Sequence, residues 1–569
     1  MSNKKINSRA PSTQNFLGFS NSAASVVNFR FLKGGGLETR CGARFLFNLN
    51  QPIRTLWSGV LHGHPVTYFL AGSIVYSADI ARGIATAIGG IQSSEGDANF
   101  FCLQGRLYLT DGGESVYLIE KDEIRSALGY VPLLGKDWDP NLMGEICEPL
   151  NLLNPHARIT YVLTEASSFL KVPKAMASIE AIYRNGTLLA EDQYEINNYF
   201  SSIEVSGLKS GDRLEVYLTF EESEERKDLR TLFCSMRGSI FFCSGEKSRT
   251  FFFDSEGSDM MFCTRYVATE SLLQGQKHYD ADPLYLPEGY EFRVGDGTYP
   301  VRGAICHHDS LLIFTEKDTW AATADSTGLS LLPTVPVNAE LGCVASNACV
   351  LSPNDPVTIS RHGLYRWESP DPEETHRDAV RISGALDEIL SPSDLRQSTL
   401  FYDALREELW LNVIPRQEMW IYSPEQGDWF CFTGLQADHL FDADGNVAFT
   451  RGSQVFVMDP TIYYDIDANN EAQPIHAVFE SKAFDFGSVK PKNLSQIHSV
   501  GYIESDKLRV ELCCDDTENV SCELSNPQLK KKGIFSHRLR SGRFRSATLR
   551  LSTETSTRIA VYVMQLIAH

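Results

Sequence analysis

Few residues in this chain are spaced for chemistry, and those few read as turns. His62-x-His64 and His307-His308 are the only His clusters. A zinc site needs three or four ligands at a readable spacing, and no further ligand accompanies either pair. Cys513-Cys514-Asp515-Asp516 holds the only adjacent thiols. Neighbours on a strand point to opposite faces, so the two sulfurs do not easily share a metal. Asp442-x-Asp444-Gly445-Asn446 resembles the start of a calcium loop but lacks the distal bidentate Glu, and Asp-Gly is ordinary turn chemistry. Gly34-Gly35-Gly36 is followed by no Lys-Ser/Thr and opens no helix, so it is not a phosphate loop. There is no G-x-S-x-G elbow, and no carboxylate pair is singled out for acid–base work. These residues single out no metal site, no cofactor and no catalytic residue. A propeller-fold glycan-active enzyme stays open as the alternative.

Charge is the stronger signal. The 569 residues carry a formal net charge of −21, unevenly spread. Residues 1–54 carry +7, from Lys4, Lys5, Arg9, Arg30, Lys33, Arg40, Arg44 and Arg54 against Glu38. Residues 528–550 carry +8, from Lys530, Lys531, Lys532, Arg538, Arg540, Arg543, Arg545 and Arg550 with no acid among them. The remainder holds −36. Two basic stretches therefore flank an acidic body. Each is either a solvated face or the complement of an acidic partner surface, and the second strip is the candidate partner-binding site. Nucleic acid is the weaker partner, because aromatic residues are not interleaved with the cations.

What must position such surfaces is a chain of short strands. Val66–Ala71, Ile74–Ser77, Ala98–Leu103, Arg106–Thr110, Ser115–Ile119, Leu311–Thr315, Leu409–Val413 and Glu418–Tyr422 are apolar, β-branched or aromatic runs broken by Gly, Asp, Asn and Ser. Helical periodicity is confined to Asp122–Ala127 and Gly384–Leu390. A strand, Gly turn, strand unit recurs at 66–79, 99–120, 230–245, 301–323, 356–368, 400–414 and 439–459. Hairpin following hairpin in this way predicts an all-β chain with a β-propeller core; an array of β-sandwiches is the structural alternative.

Two stretches break the pattern. Residues 146–222 have their own alternation and the hairpin turn Asn185-Gly186, and read as an inserted small β-sandwich. The charged run Glu221–Asp228 then returns the chain to the propeller. Residues 474–569 alternate in Leu508–Leu512, Thr548–Leu551 and Ile559–Met564, and read as a C-terminal β-sandwich. The expected organisation is a basic arm with first propeller strands at 1–54, blades at 55–145 and 223–473, and the two sandwiches. No window approaches the apolar length of a membrane span, and the N-terminus lacks the apolar region of a secretory signal. The 13 cysteines show no disulfide spacing, which predicts reduced thiols in a cytosolic setting.

Several segments resemble a phage family. In NFRFLKGGGLETRCGARFL (28–46), an Asn-bearing segment leads to a Gly-Leu-x-x-Arg-x-Gly signature at Gly36, Leu37, Arg40 and Gly42, with Cys41 where the family has Pro. Residues 294–323 look like the family's central blade, and Gly342-Cys343 with Ser360-x-x-Gly363-Leu364-Tyr365 resembles the next one. ESKAFDFGSVKPKNLSQI (480–497) resembles the strand that opens the C-terminal domain. The segments follow the family's order. The resemblance is to bacteriophage tail nozzle, or tail-tube hub, proteins of the podovirus type. It implies a protein that is not an enzyme but a structural subunit of a homohexameric ring below the head–tail adaptor, located in the virion tail and made and assembled in the bacterial host cytoplasm. Such a ring carries tail fibres or spikes, supports genome retention and ejection, and passes double-stranded DNA without sequence-specific binding. The insert resembles small β-sandwich modules of tail and fibre proteins. An acidic body suits a lumen that must not hold phosphate. A monomeric propeller scaffold binding one protein partner is a further alternative.

Overall fold

The computed structural model describes residues 12–16, 19–120, 123–139, 147–167, 169–174, 176–197, 201–242, 249–267, 278–279, 282–323, 334–369, 377–515, 518–525, 533–538 and 540–569. The propeller is built from six four-stranded antiparallel sheets and the first four strands of a ten-stranded sheet. In chain order the innermost strands are Ile53–Leu61, Asn99–Leu103, Gly238–Phe242, Val301–His307, Cys349–Leu351, Ser398–Asp403 and Leu440–Ala443. Each touches the next, and the last returns to the first, so the ring closes. Apolar clusters lie between adjacent sheets, as where Tyr68, Leu70 and Val75 of the first meet Phe100, Leu107 and Leu109 of the second. Burying each such side chain stabilises the ring by about 1.5–3 kcal/mol, which one sheet alone cannot gain.

The chain start completes both the ring and the C-terminal sandwich. Gly42–Asn48 is the outer strand of the seventh sheet, paired antiparallel with Gln454–Asp459. Ala23–Val27 covers the outer edge of the sixth sheet, meeting it at Val27 and Cys431, and pairs on its other side with Ala472–Ser481. An unpaired edge is thereby removed, and blade and sandwich share one sheet. The second sheet of the sandwich holds Phe29–Phe31, Leu37–Thr39, Ile559–Ala568, Leu494–Ile503 and Gly533–Arg538. Thus the strands Ser12–Phe16, Ala23–Val27, Phe29–Phe31 and Leu37–Thr39, in the stretch read as arm and first propeller strands, pair with the sandwich.

Between the second and third blades lie a five-stranded and a three-stranded sheet, spanning Leu133–Trp138 to Arg213–Phe220. Asn185 and Gly186 take positive φ in the hairpin turn expected there. One expected helical stretch and one expected link differ. Glu123–Ser126, read as helical, is the outer strand of the second blade, held by pairing with Val116–Glu120. The charged run read as a linker instead starts a helix, Glu224–Cys234. Ser223 caps it by accepting from the Arg226 N–H, and its own Phe233 and Cys234 are buried. The strand expected from residue 230 is therefore displaced to Gly238–Phe242. Among the described residues no helix is long and apolar enough to cross a membrane.

The other motifs are turns. Asp444 and Gly445 have φ of 54° and 82°, with the Gly445 N–H donating to Asp442 Oδ1 at 2.8 Å. His62 and His308 occupy left-handed turn positions. Gly34 and Gly35 take φ of 100° and 89° in the link between two strands of the sandwich.

Candidate partner-binding surface

The Asn28 to Gly42 signature forms the clasp that orients the sandwich on the propeller. Arg40 is 1% exposed. Its Nη1 and Nη2 donate to Asp465 Oδ1 and Oδ2 at 2.8 and 2.7 Å, a bidentate pair. Nη1 also donates to the Cys41 carbonyl, Nη2 to the Thr433 carbonyl at 3.3 Å, and Nε to Asn28 Oδ1 at 3.0 Å. Asn28 in turn accepts from the Thr433 N–H and donates to Thr433 Oγ1 and the His476 carbonyl. One residue pair thus ties the N-terminus, the sixth blade and the sandwich. The glycines are steric requirements. A Cβ on Gly42 would stand 1.8 Å from the Tyr464 carbonyl oxygen, and one on Gly36 2.9 Å from that of Val561.

The N-terminal charges are consumed by the same junction. Arg30 pairs with Glu408, Arg44 with Asp459 at 3.4 Å, and Glu38 with Arg558. Arg54 donates to the carbonyls of Gly72, Ser93, Glu95, Gly96 and Asp111, bracing the first blade against the second. The acidic partner of these basic residues is the chain itself. Burial, with Arg30 opposing it, raises the Glu408 carboxyl. Burial and the neighbouring Glu38 charge push the Tyr463 phenol up to about 12. Burial also raises the Cys41 thiol, which leaves it protonated and inert. Lys4, Lys5 and Arg9 lie outside the described residues.

The C-terminal strip divides into three parts. Lys530, Lys531 and Lys532 lie outside the described residues. Arg538, Arg540, Arg543 and Arg545 are exposed at one end of the sandwich, where the Gly533–Arg538 strand runs into the 540–546 loop. Phe544, fully buried, anchors that loop through backbone bonds with Lys492. Asp515 fixes its end by accepting from the Arg545 and Ser546 N–H groups. Lys492 is turned inward and donates to the Asp485 and Arg545 carbonyls. The loop is therefore held in shape while its arginines face solvent. Arg550 stands apart, in register between Glu480 and Glu511 on the neighbouring strands, so its charge is answered locally. What the strip can do is attract a negatively charged protein surface. Lys490 and the 80% exposed Val489 belong to the adjoining loop, a proximity that linear spacing does not reveal.

Among the described residues no group of three or more His, Cys, Asp and Glu side chains is placed to hold a metal. His307 is buried and accepts from Arg377 Nε at Nδ1, 3.0 Å away.

No protein-family model and no curated protein sequence matches the chain. Solved structures do. The extracellular domain of a one-component system of B. thetaiotaomicron aligns at 8% identity, covering 92% of this chain and 80% of that one, with a TM-score of 0.26. A structure titled glycoside hydrolase aligns at 8% identity over 91% and 97% of the two chains, with a TM-score of 0.25. A family 43 arabinoxylan arabinofuranohydrolase from Bacillus subtilis aligns at 8% identity over 58% and 78%, with a TM-score of 0.19. The expectation of a protein that is not an enzyme is corrected here: two of these similar chains bear the names of hydrolases.

Proposed function

We propose that this protein is a structural subunit of a bacteriophage tail, of the nozzle or tail-tube hub type. One observation carries the proposal. Four exposed arginines, Arg538, Arg540, Arg543 and Arg545, stand on a shaped end of a sandwich clasped to an acidic body. Outside residues 528–550 the chain carries −29. A basic end on an acidic body is complementary to a second copy placed head to tail, and a head-to-tail contact closes into a ring when its rotation permits. The resemblance of the 28–42 signature supplies the hexameric number, the head–tail adaptor and fibre or spike proteins as partners, and the virion tail as the location. The acidic surface serves a channel through which double-stranded DNA passes without being held.

The test is assembly. Native mass spectrometry of the purified chain, over a range of concentration and salt, reads out a ring. Arg538, Arg540 and Arg543 changed together to Glu should weaken it, most at low salt. A chain that stays monomeric throughout and is absent from purified virions overturns the proposal. Hydrolysis of a glycan panel by the monomer would favour the glycan-active alternative instead.

A further inference from the structure

Far from the basic strip, three cations converge on a cavity of about 330 Å³ at one end of the propeller. Its wall is made by Tyr299, Glu316, Lys317, Val344, Arg361 and Arg396. Three elements bring the charges together. Glu316 and Lys317 form the turn between Ser310–Thr315 and Thr319–Thr323 of the fourth blade. Arg361 sits in the equivalent turn of the fifth, between Pro356–Ser360 and Gly363–Glu368. Arg396 ends the short helix Pro392–Arg396 that leads into the sixth.

The acid on this wall is already engaged. Glu316 pairs through Oε1 with Arg396 and through Oε2 with Arg302, the latter at 3.8 Å. Arg302 is also met by Asp254 at 3.4 Å, and Asp254 is fully buried behind the wall. The Lys317 ammonium lies 5.3 Å over the Tyr299 ring and forms no ion pair among the described residues. The nearby Asp296 carboxylate accepts from the Thr298 N–H at 3.0 Å. Arg361 is exposed and likewise forms no ion pair among the described residues. Two cations thus face the cavity, Lys317 met only at longer range by the Asp296 charge and Arg361 in no ion pair among the described residues, in a chain whose net charge is −21. Like charges gathered in a concave wall are relieved by an anion.

The geometry points to a binding site for a small ligand bearing a carboxylate or phosphate group, held by Lys317 and Arg361 between the fourth and fifth blades. Arg361 supplies a fork that matches a two-oxygen anion, and Lys317 a point charge. The volume is at the small end of ligand pockets, about 300–1,000 Å³, which restricts the occupant to one ring or a short chain. Arg361 also borders a second cavity of about 210 Å³, whose wall includes His362, Arg381, Ser383, Leu386 and Asp387. The site is independent of the tail-assembly proposal.

Isothermal titration of the full chain with inorganic phosphate, glucuronate and neutral glucose tests it. Saturable binding of phosphate, glucuronate or both is expected, with none for glucose. Phosphate alone assigns a phosphorylated ligand, glucuronate alone an acidic sugar, and both assign the shared anionic group. Lys317→Ala and Arg361→Ala should each weaken binding about tenfold or more, the loss expected for a hydrogen bond to a charged group. Arg361→Lys should recover part of it. Both side chains changed are at the surface of turns, so circular dichroism of all three variants should match the wild type. Absence of saturable anion binding, equal binding of glucose, or wild-type affinity in both alanine variants overturns the proposal.

Discussion

Arg40→Ala is the sharpest perturbation of this architecture. The guanidinium is 1% exposed and makes five hydrogen bonds, two of them to Asp465. Removing one partner of a buried ion pair costs about 3–5 kcal/mol, because the other charge is left uncompensated. The Asp465 side chain is 23% exposed, so water recovers part of its solvation and the lower end of that range applies. Asn28 Oδ1 keeps the Thr433 N–H, whereas the Thr433 carbonyl loses its contact with Arg40. The expected loss is about 3 kcal/mol, against a total stability of about 5–15 kcal/mol for a folded domain. Arg40→Lys keeps the charge but not the fork, and should fall between. Replacing both partners, Arg40→Met with Asp465→Leu, should restore most of the loss. Denaturant unfolding followed by tryptophan fluorescence reports the sixth blade through Trp410, Trp420 and Trp429. Hydrogen exchange of Ile559–Ala568 reports the sandwich. Arg40→Ala should move both signals together. A change below about 1 kcal/mol, or a loss confined to one of the two regions, would refute the clasp.

Three further outcomes follow from the same contacts. Deleting residues 1–48 removes the outer strand of the seventh sheet and the strands at 23–27, 29–31 and 37–39 of the sandwich, so both should become protease-sensitive; a folded propeller in the truncated chain would contradict this. Deleting 156–220 should leave the ring folded, whereas deleting 146–222 should not, because it also takes Asn151; that side chain is fully buried, donates to the Tyr130 and Leu284 carbonyls and accepts from the Leu153 and Leu286 N–H groups. Burial, with the adjoining His308 and Arg377 charges, lowers His307 to about 4, so the folded state binds fewer protons than the unfolded one between there and the ordinary value. Stability should therefore be complete above about pH 6.5 and fall as pH drops toward 4, and urea titrations of wild type and His307→Gln at pH 7 and 5 should show a smaller fall in the variant.

The hairpins were legible because each carries its own evidence: alternation, length and a Gly or Asp turn all act within about ten residues. The closure of the ring was not. Gly42–Asn48 pairs with Gln454–Asp459 across some four hundred residues, and nothing local distinguishes an outer strand of the seventh sheet from a first strand of the first. The helix at Glu224–Cys234 was hidden for the opposite reason. Its first turn is so charged that it reads as a solvated link, although Ser223 with acids behind it is a capping signal. Charge was the least transferable quantity. The two basic stretches look alike along the chain, yet Arg30, Arg40 and Arg44 close on Glu408, Asp465 and Asp459, while Arg538, Arg540 and Arg543 face solvent. The difference is one of topology. The first stretch threads between two domains and meets acids from both, whereas the second runs along a strand that ends its sheet and an exposed loop. A run of like charge therefore identifies a surface only after its strands are paired, and the cations of the inter-blade cavity, Lys317, Arg361 and Arg396, show the converse: scattered over eighty residues, they form a patch that no run announces.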